Sequence, residues 1–257
     1  MEVLVCVKRV PQVGGRIVIT PDGQDVETRM SGFAISPHEE CAVEEAVRLT
    51  QRLGGTATVL TLGPAEAAEQ LREALAIGAT RGVLLETDGR EWGPVATAAA
   101  ITDAVRRTAA DGGGPGYDLL LFGNEAADTG DYQVGVRVAE SLGWPCVTGV
   151  KHLETDGATV RVRREYRGTG ETFEFGLPAV ITVKEGINLP RYPSLPGRLR
   201  AKRAVLEQHQ PTWSADGLRK TGLRVPEQRR QQATVLGSGP DAVPALVRLL
   251  EELGVLR

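Results

Sequence analysis

The sequence predicts an α/β fold: a doubly wound, mostly parallel sheet, Rossmann-like, with an antiparallel hairpin insertion and an extended C-terminal arm. Three observations carry this. Through residue 145, continuous apolar runs of strand length alternate with amphipathic runs of helix length, the pattern of βαβ crossovers. The right-handedness of such crossovers winds the sheet both ways from its start. After Pro145 the pattern becomes apolar/polar alternation broken by turns at Asp156-Gly157 and Gly168-Thr169-Gly170, as in antiparallel hairpins.

The chain opens on Val3-Leu4-Val5-Cys6-Val7, apolar throughout, as expected of a strand covered on both faces. Lys8-Arg9 follow at its carboxyl end, then a loop with Gly14-Gly15; residues 16–20 predict a short hairpin arm on the turn Pro21-Asp22-Gly23. Ser36-Pro37-His38-Glu39 is a helix start. The serine caps, the proline suits the first position, and Glu39 completes a capping box. Ala42, Val43, Ala46, Val47 and Leu53 then form one apolar stripe, ended by Gly54-Gly55. Residues 56–62 predict a second strand, and Gly63-Pro64 opens a second helix that closes at Gly78. Residues 82–86 predict a third strand and 94–110 an alanine-rich third helix, after which the glycine run 112–114 leads to the fourth strand.

That fourth strand, Leu119-Leu120-Leu121-Phe122, stops at Gly123 and resumes as a helix with Val134, Val138 and Leu142 at i, i+4, i+8. The acidic, small-residue loop between them lies at the carboxyl end of a parallel strand and feeds a helix N-terminus. In α/β sheets that is where nucleotides bind, and free amides with a positive helix end suit a phosphate. The plainer reading is that Asp128, Thr129 or Asp131 simply caps the next helix.

Beyond the hairpin region, residues 177–183 predict a buried strand returning to the sheet. Asn188 to Pro196 holds three prolines in seven residues and predicts no regular structure, only a connector or a presented surface loop. The cluster Arg198, Arg200, Lys202 and Arg203 predicts a solvated helix face. Residues 205–240 have weak apolar periodicity and predict a disordered segment or an arm lying on a partner. A last helix over 241–253 gathers Val243, Leu246, Val247, Leu250 and Leu253 on one side, a face that needs a cover. The expected domains are therefore a nucleotide-binding unit, 1–203, and a C-terminal arm with its helix, 204–257, packing on a partner subunit.

Composition narrows the function. A hydrophobic content of 41% supports a sizeable core, and a net charge of −3 gives no electrostatic case for nucleic acid. Cys6, Cys41 and Cys146 are far apart and make no CxxC pair, and the histidines 38, 152 and 209 are scattered, so no metal site is expected. The first residues read directly as a strand, predicting neither signal nor transit peptide, and no apolar run reaches the ~20 residues of a membrane span. A cytoplasmic, reducing location is expected. Arginine outnumbers lysine 25 to 5, which thermophily and codon bias explain equally well. Neither GxGxxG nor GxxxxGK[ST] occurs, which disfavours an ordinary Rossmann dehydrogenase and a P-loop NTPase. Asp128 and Asp131 could be cast as acid and base, but no convincing nucleophile–base pair is present, and no catalytic residue is expected.

Several stretches together resemble one family. They are VLVCVKRV at 3–10, the Ser36-Pro37 helix start running into AVEEAVRL at 42–49, Gly63-Pro64-Ala65 and ALAIGATRGVLL at 74–85. To these add GNEAADTGDYQVGVRVAESLGWP at 123–145 and LPAVITVKEGINLPRYPSLPGRLRAK at 177–202. The chain resembles the β subunit of electron transfer flavoprotein from its start to about residue 205, most specifically at LPRYPSLP and only loosely over the last fifty residues.

The resemblance implies an adenine-nucleotide-binding sheet, a structural AMP, and an α subunit that holds most of a redox-active FAD. It implies electron transfer from flavin dehydrogenases, such as the acyl-CoA dehydrogenases of fatty acid oxidation, to a membrane quinone reductase. Carried over by position, the AMP site comprises Cys6, Ser36, Pro37, His38, Glu39 and Leu62. It continues with Gly123, Asn124, Glu125, Ala126, Ala127, Asp128, Thr129, Gly130, Asp131, Tyr132, Gln133 and Val134. Leu195 corresponds to the leucine of a partner-recognition loop, here with Arg191, Tyr192, Pro193, Ser194 and Pro196; from the residues alone the preferred reading is that Leu195 caps the sheet's core. Arg167-Gly168-Thr169 departs from the acidic or glycine pair usual in the family, which puts detail of the hairpin in doubt. In flavin-bifurcating relatives a second FAD replaces AMP and the loop resembles DGDTAQVGP; Tyr132 and Val136 here depart from it and favour AMP. A stand-alone adenine-nucleotide-binding or hydrolysing module is the alternative of another class.

Overall fold

The computed structural model describes residues 1–12, 17–110, 116–215, 217, 220–226 and 234–256. In chain order the elements are β1 (Glu2–Val7), β2 (Val10–Pro11), β3 (Phe33–Ala34), α1 (Pro37–Leu53), β4 (Thr56–Gly63), α2 (Ala68–Ile77), β5 (Arg81–Glu86), α3 (Pro94–Ala110) and β6 (Leu119–Gly123). They continue as α4 (Val134–Leu142), β7 (Cys146–Thr155), β8 (Thr159–Tyr166), β9 (Thr169–Gly176), β10 (Ala179–Val183), α5 (Leu195–Arg203), β11 (Glu207–His209) and α6 (Val243–Glu252). The loop at Gly14-Gly15, the start of the hairpin arm at Arg16 and the glycine run 112–114 lie outside the described residues. The rest of that arm is a hairpin, with Ile19 bridging Val26 in antiparallel fashion.

Nine strands form one sheet in the order β11-β5-β4-β1-β6-β10-β7-β8-β9. The pairs from β11 to β7 are parallel, and β7–β8 and β8–β9 are antiparallel. The alternation of a strand decides which helices cover it. Val3, Val5 and Val7 point to a core shared with Ala42, Val43 and Ala46 of α1 and Leu71, Ala74 and Leu75 of α2. Leu4 and Cys6 point to the opposite core, with Ala98, Ile101 and Val105 of α3 and Val138 and Ala139 of α4. Two helices therefore lie on each face, and the sheet is doubly wound as the sequence predicts.

Two expectations are corrected. Residues 195–196 are regular structure: α5 begins at Leu195, because Ser194 caps it by accepting from Gly197 N (3.1 Å) and a proline is tolerated in a first turn. Residues 205–240 are not wholly without regular structure, since Glu207–His209 runs parallel to β5 and lengthens the sheet at that edge. These three residues are exposed and carry no apolar pattern, so their sequence gives no strand signal. α6 is preceded by a 3₁₀ turn, Gly239–Ala242, and its apolar side stands open, with Val243, Leu246 and Leu253 all exposed.

α5 is held against α2 by contacts that favour glycine. A Cβ on Gly197 would stand 2.5 Å from the carbonyl oxygen of Ala76. Arg72 of α2 meanwhile donates to the terminal carbonyls of α5, Ala201 O at 2.6 Å and Lys202 O and Ala204 O at 3.2 Å. Gly197→Ala would gain up to about 1 kcal/mol of helix propensity, but a contact that close to backbone forces the helices apart at about 1–3 kcal/mol. A net loss is expected, read as a lower urea midpoint; a gain in stability would show that α5 is free to shift.

Candidate functional site

β1 leads by one crossover to β4 on one side, and the chain later returns through β6 on the other. Their carboxyl ends therefore part at the switch point of the sheet, where open α/β sheets bind ligands. A cavity of about 390 Å³ lies there, at the lower end of the range of small-molecule sites. Its floor is made by strand ends: Cys6 of β1, Leu60 and Leu62 of β4, and Phe122 and Gly123 of β6. Its walls are the connection from β6 to α4, the residues between β5 and α3, and Lys8 and Arg9 beyond β1.

Of the residues proposed from sequence, Cys6, Glu39, Leu62, Gly123, Asn124, Glu125, Ala126, Thr129, Asp131, Tyr132, Gln133 and Val134 line this one cavity. Ser36, Pro37, His38, Ala127, Asp128 and Gly130 are not in its lining. Ser36, Pro37 and His38 form the start of α1 behind Gly123, where a Cβ would meet Glu39 Cγ at 2.7 Å and His38 Cβ at 3.3 Å. Asp128 turns aside to Lys8, with Nζ to Oδ1 at 2.7 Å, tying the loop to the end of β1. Leu195 and its neighbours do not reach the cavity.

The capping question is decided at α4. Its N-cap is Gln133, whose side chain makes no cap bond, and among the described residues no side chain accepts from the first amides of the helix. Asp128 instead accepts from Thr129 N (2.9 Å), and Asp131 from the side chain of Gln133 (3.1 Å). The N-terminus of α4 therefore presents free amides beside the cavity. Gly135 lets it approach closely, since a Cβ there would lie 2.9 Å from Thr182 Cγ2 and 3.2 Å from Phe122. Thr182 locks the neighbouring strand end, donating to Asn124 Oδ1 (2.9 Å) and accepting from Gly149 N (3.1 Å).

Glu39 is the buried carboxylate of the site. It accepts from Lys8 N (3.0 Å), Ser36 N (3.1 Å) and Ser36 Oγ (2.9 Å), and Ser36 Oγ accepts from Glu39 N (3.3 Å), the capping box read from the sequence. Burial pushes its pKa up to about 7, and these hydrogen bonds only partly oppose the shift. Burial also pushes the Cys6 thiol well up, with Glu39 adding to it, so this cysteine is an apolar wall and not a nucleophile. A carboxyl whose folded pKa lies above its unfolded value favours folding at low pH, and that contribution is lost as pH rises from about 4.5 through about 7. Glu39→Gln has no charge to titrate. Between pH 5 and pH 8 the stability of wild type relative to Glu39→Gln is expected to fall by about 2–3 kcal/mol, measured by urea unfolding; a pH-independent difference would contradict the shift.

Sequence reasoning missed Lys8, Arg9, Thr87, Arg90, Trp92, Thr97 and Thr182 as cavity residues. They come from the connection after β1, the connection between β5 and α3, α3 itself and β10, places that only the strand order brings together. Arg9 carries its guanidinium 3.2 Å over the ring of Phe33 and has its Nε buried without a partner among the described residues. Among the described residues no group of histidine, cysteine or carboxylate side chains has the arrangement of a metal site. No helix among the described residues is long and apolar enough to cross a membrane.

The loop from Asn188 to Ser194 is braced, and it presents Leu195 at the start of α5. Arg191 makes a two-pronged pair with Glu44 of α1, Nε to Oε2 at 2.8 Å and Nη2 to Oε1 at 3.0 Å, and its backbone N donates to the same carboxylate (3.2 Å). Asn188 donates to Glu45 Oε2 and to Cys41 O, both at 2.9 Å. The Glu44 side chain is 2% exposed. On this anchorage Leu189, Tyr192 and Leu195 stand out at 83%, 96% and 71% exposure. Leu195 does not cap the core.

Fold and cavity together define a doubly wound α/β protein with a cavity at the switch point, free helix amides on one wall and a separate braced loop. The electron transfer flavoprotein domain model matches residues 26–213. The electron transfer flavoprotein subunit beta of Bacillus subtilis (strain 168) is 36% identical over 208 residues, 81% of this chain and 78% of that protein. The same-named subunit of Bradyrhizobium diazoefficiens is 36% identical over 211 residues, 81% of each chain. That of Homo sapiens is 34% identical over 215 residues, 82% of each. The chain belongs to the electron transfer flavoprotein family, and the relatives it matches are electron transfer subunits.

Proposed function

We propose that this chain is the β subunit of a heterodimeric electron transfer flavoprotein, a cytoplasmic electron carrier without catalytic residues of its own. In this reading the cavity holds a structural AMP, and an α subunit holds most of the FAD, whose site this chain completes. Electrons come from flavin dehydrogenases such as acyl-CoA dehydrogenases and leave to a membrane quinone reductase. The observation that carries the nucleotide assignment is the uncapped N-terminus of α4 beside the switch-point cavity. The residues fit the group: a phosphate would meet the free amides at Val134 and Gly135, and apolar strand ends at Cys6 and Leu62 suit a base. Glu39, held by Ser36 and Lys8, fixes the entry of α1 beside that cavity. The flavin, when bound, supplies the redox chemistry; the chain's own part is to position and to dock. The braced loop supports the docking role, because Leu195 is fixed before any partner arrives and pays little ordering entropy on binding.

The deciding experiment is to co-purify the chain with its genomic-neighbour subunit, denature the complex and quantify the released nucleotides. One FAD and one AMP per heterodimer is expected. Two FAD and no AMP would make it a flavin-bifurcating subunit, and neither partner nor nucleotide would overturn the reading.

A further inference from the structure

Among the described residues two donors in the cavity wall lack an acceptor, Arg9 Nε, whose guanidinium lies over the Phe33 ring, and Trp92 Nε1, which has no such cover. Trp92 lies between β5 and α3; its Nε1 is buried and finds no hydrogen-bond partner among the described residues. The partly buried ring packs on the core that contains Leu60, Ile101 and Phe122, and the residue lines the cavity. An indole N–H shut away from water without an acceptor is a standing cost that native structures rarely leave unrelieved.

The connection that carries it is held from two sides. Thr87 N donates to Gly63 O at 2.9 Å, fixing its start to the end of β4. From the segment after β11, Trp213 Nε1 donates to Glu91 O at 3.1 Å, Lys220 Nζ lies 3.1 Å from Glu91 Oε1, and the Arg90 guanidinium sits 5.5 Å from the Trp213 ring. Trp92 is thus placed by its neighbours and not left to swing on a slack loop.

Strand order says which part of a nucleotide it faces. The ends of β5, β4, β1 and β6 stand side by side, with α4 following β6. Neighbouring strands are spaced about 4.8 Å apart, so the β5 end is about 14 Å from the β6 end. A phosphate on the α4 amides leaves the base directed toward β4 and β5. The geometry points to Trp92 as a base-recognition residue: its Nε1–H donates to a ring nitrogen of the purine, reached by a turn of the partly buried indole toward the cavity. This inference rests on the AMP reading of the cavity and adds to it a specificity residue outside the loops that the family resemblance assigned.

The test is a chemical double-mutant cycle on the nucleotide-stripped heterodimer, using equilibrium dialysis. Wild type and Trp92→Phe are each titrated with AMP and with AMP analogues in which N1, N3 or N7 is replaced by CH. Phenylalanine keeps an aromatic face and removes the N–H. Trp92→Phe is expected to bind AMP about tenfold more weakly, the scale of one buried hydrogen bond. One of the three analogues is expected to bind wild type about tenfold more weakly than AMP does, yet to bind Trp92→Phe as well as AMP does. Equal AMP affinity in the two proteins, or the same losses for every analogue in both, would overturn the assignment. Absence of AMP binding to wild type would overturn the nucleotide reading as well, which separates the two failures.

Discussion

Leu195→Ala in the assembled heterodimer is expected to slow electron transfer from a dehydrogenase partner about 30-fold at subsaturating concentration, without lowering the melting temperature. The side chain is 71% exposed, so truncating it removes almost nothing from this chain's own core. It would remove the anchor of a docked complex, and an anchor is worth about 2 kcal/mol or more, hence the factor. The bracing sharpens the expectation. Proline flanks and the Arg191–Glu44 pair hold the leucine in place in the free protein, so the loss should appear in binding and leave maximal turnover little changed. Leu189→Ala serves as the comparison: it is more exposed at 83% and stands on the same anchorage, so a loss confined to Leu195→Ala separates a specific anchor from a general loss of apolar surface. Wild-type kinetics in Leu195→Ala would sink the docking role.

Glu44→Ala is the second large effect, and it acts on stability. One buried carboxylate accepts from Arg191 Nε, Nη2 and backbone N and from Arg48 Nε at 2.8 Å. Burial raises its pKa, but the bonds from Arg191 outweigh burial and hold the carboxyl below its usual range. Removing it strands a backbone N–H and two guanidinium groups at once. Because Arg191 is 37% exposed, water recovers part of the loss, and about 2–3 kcal/mol of unfolding free energy is the expected cost. Denaturant unfolding with the Glu44→Ala and Arg191→Ala singles and their double would give a coupling energy. Strict additivity would mean the pair does not brace the loop.

What the sequence reveals here depends on how local the cause is. The start of α1 is legible at residue level because Ser36, Pro37 and Glu39 build their cap within four residues. The bounds of α3 are legible because Pro94 opens it and its alanines have no competing pattern. The core follows from continuous apolar runs such as 119–122. The cavity is only half legible, since the loop after β6 announces itself but Trp92, Arg9 and Thr182 join it through the order of strands, which no short motif encodes. β11 is illegible because its three residues are chosen by backbone pairing with Val83, Leu84 and Leu85 and not by side-chain burial. The helical state of Leu195 was masked by the prolines around it, although Ser194 was there to cap it.

The place of β1 in the sheet also sets an order of assembly. Its neighbour β4 begins 54 residues after β1 begins, at Thr56, whereas β6 is met only at Leu119. The first half, β1-α1-β4-α2-β5, can close on contacts of modest sequence separation; docking the second half along the other edge of β1 carries a greater loop-closure cost and is expected to follow. The switch-point cavity lies along that late seam. Its floor does not exist until Phe122 and Gly123 pair beside Cys6, so a ligand there binds the completed sheet and neither half alone. Such a ligand withdraws population from the half-docked chain by mass action, and it does so at the step where an unpaired edge of β1 would otherwise be open to another molecule.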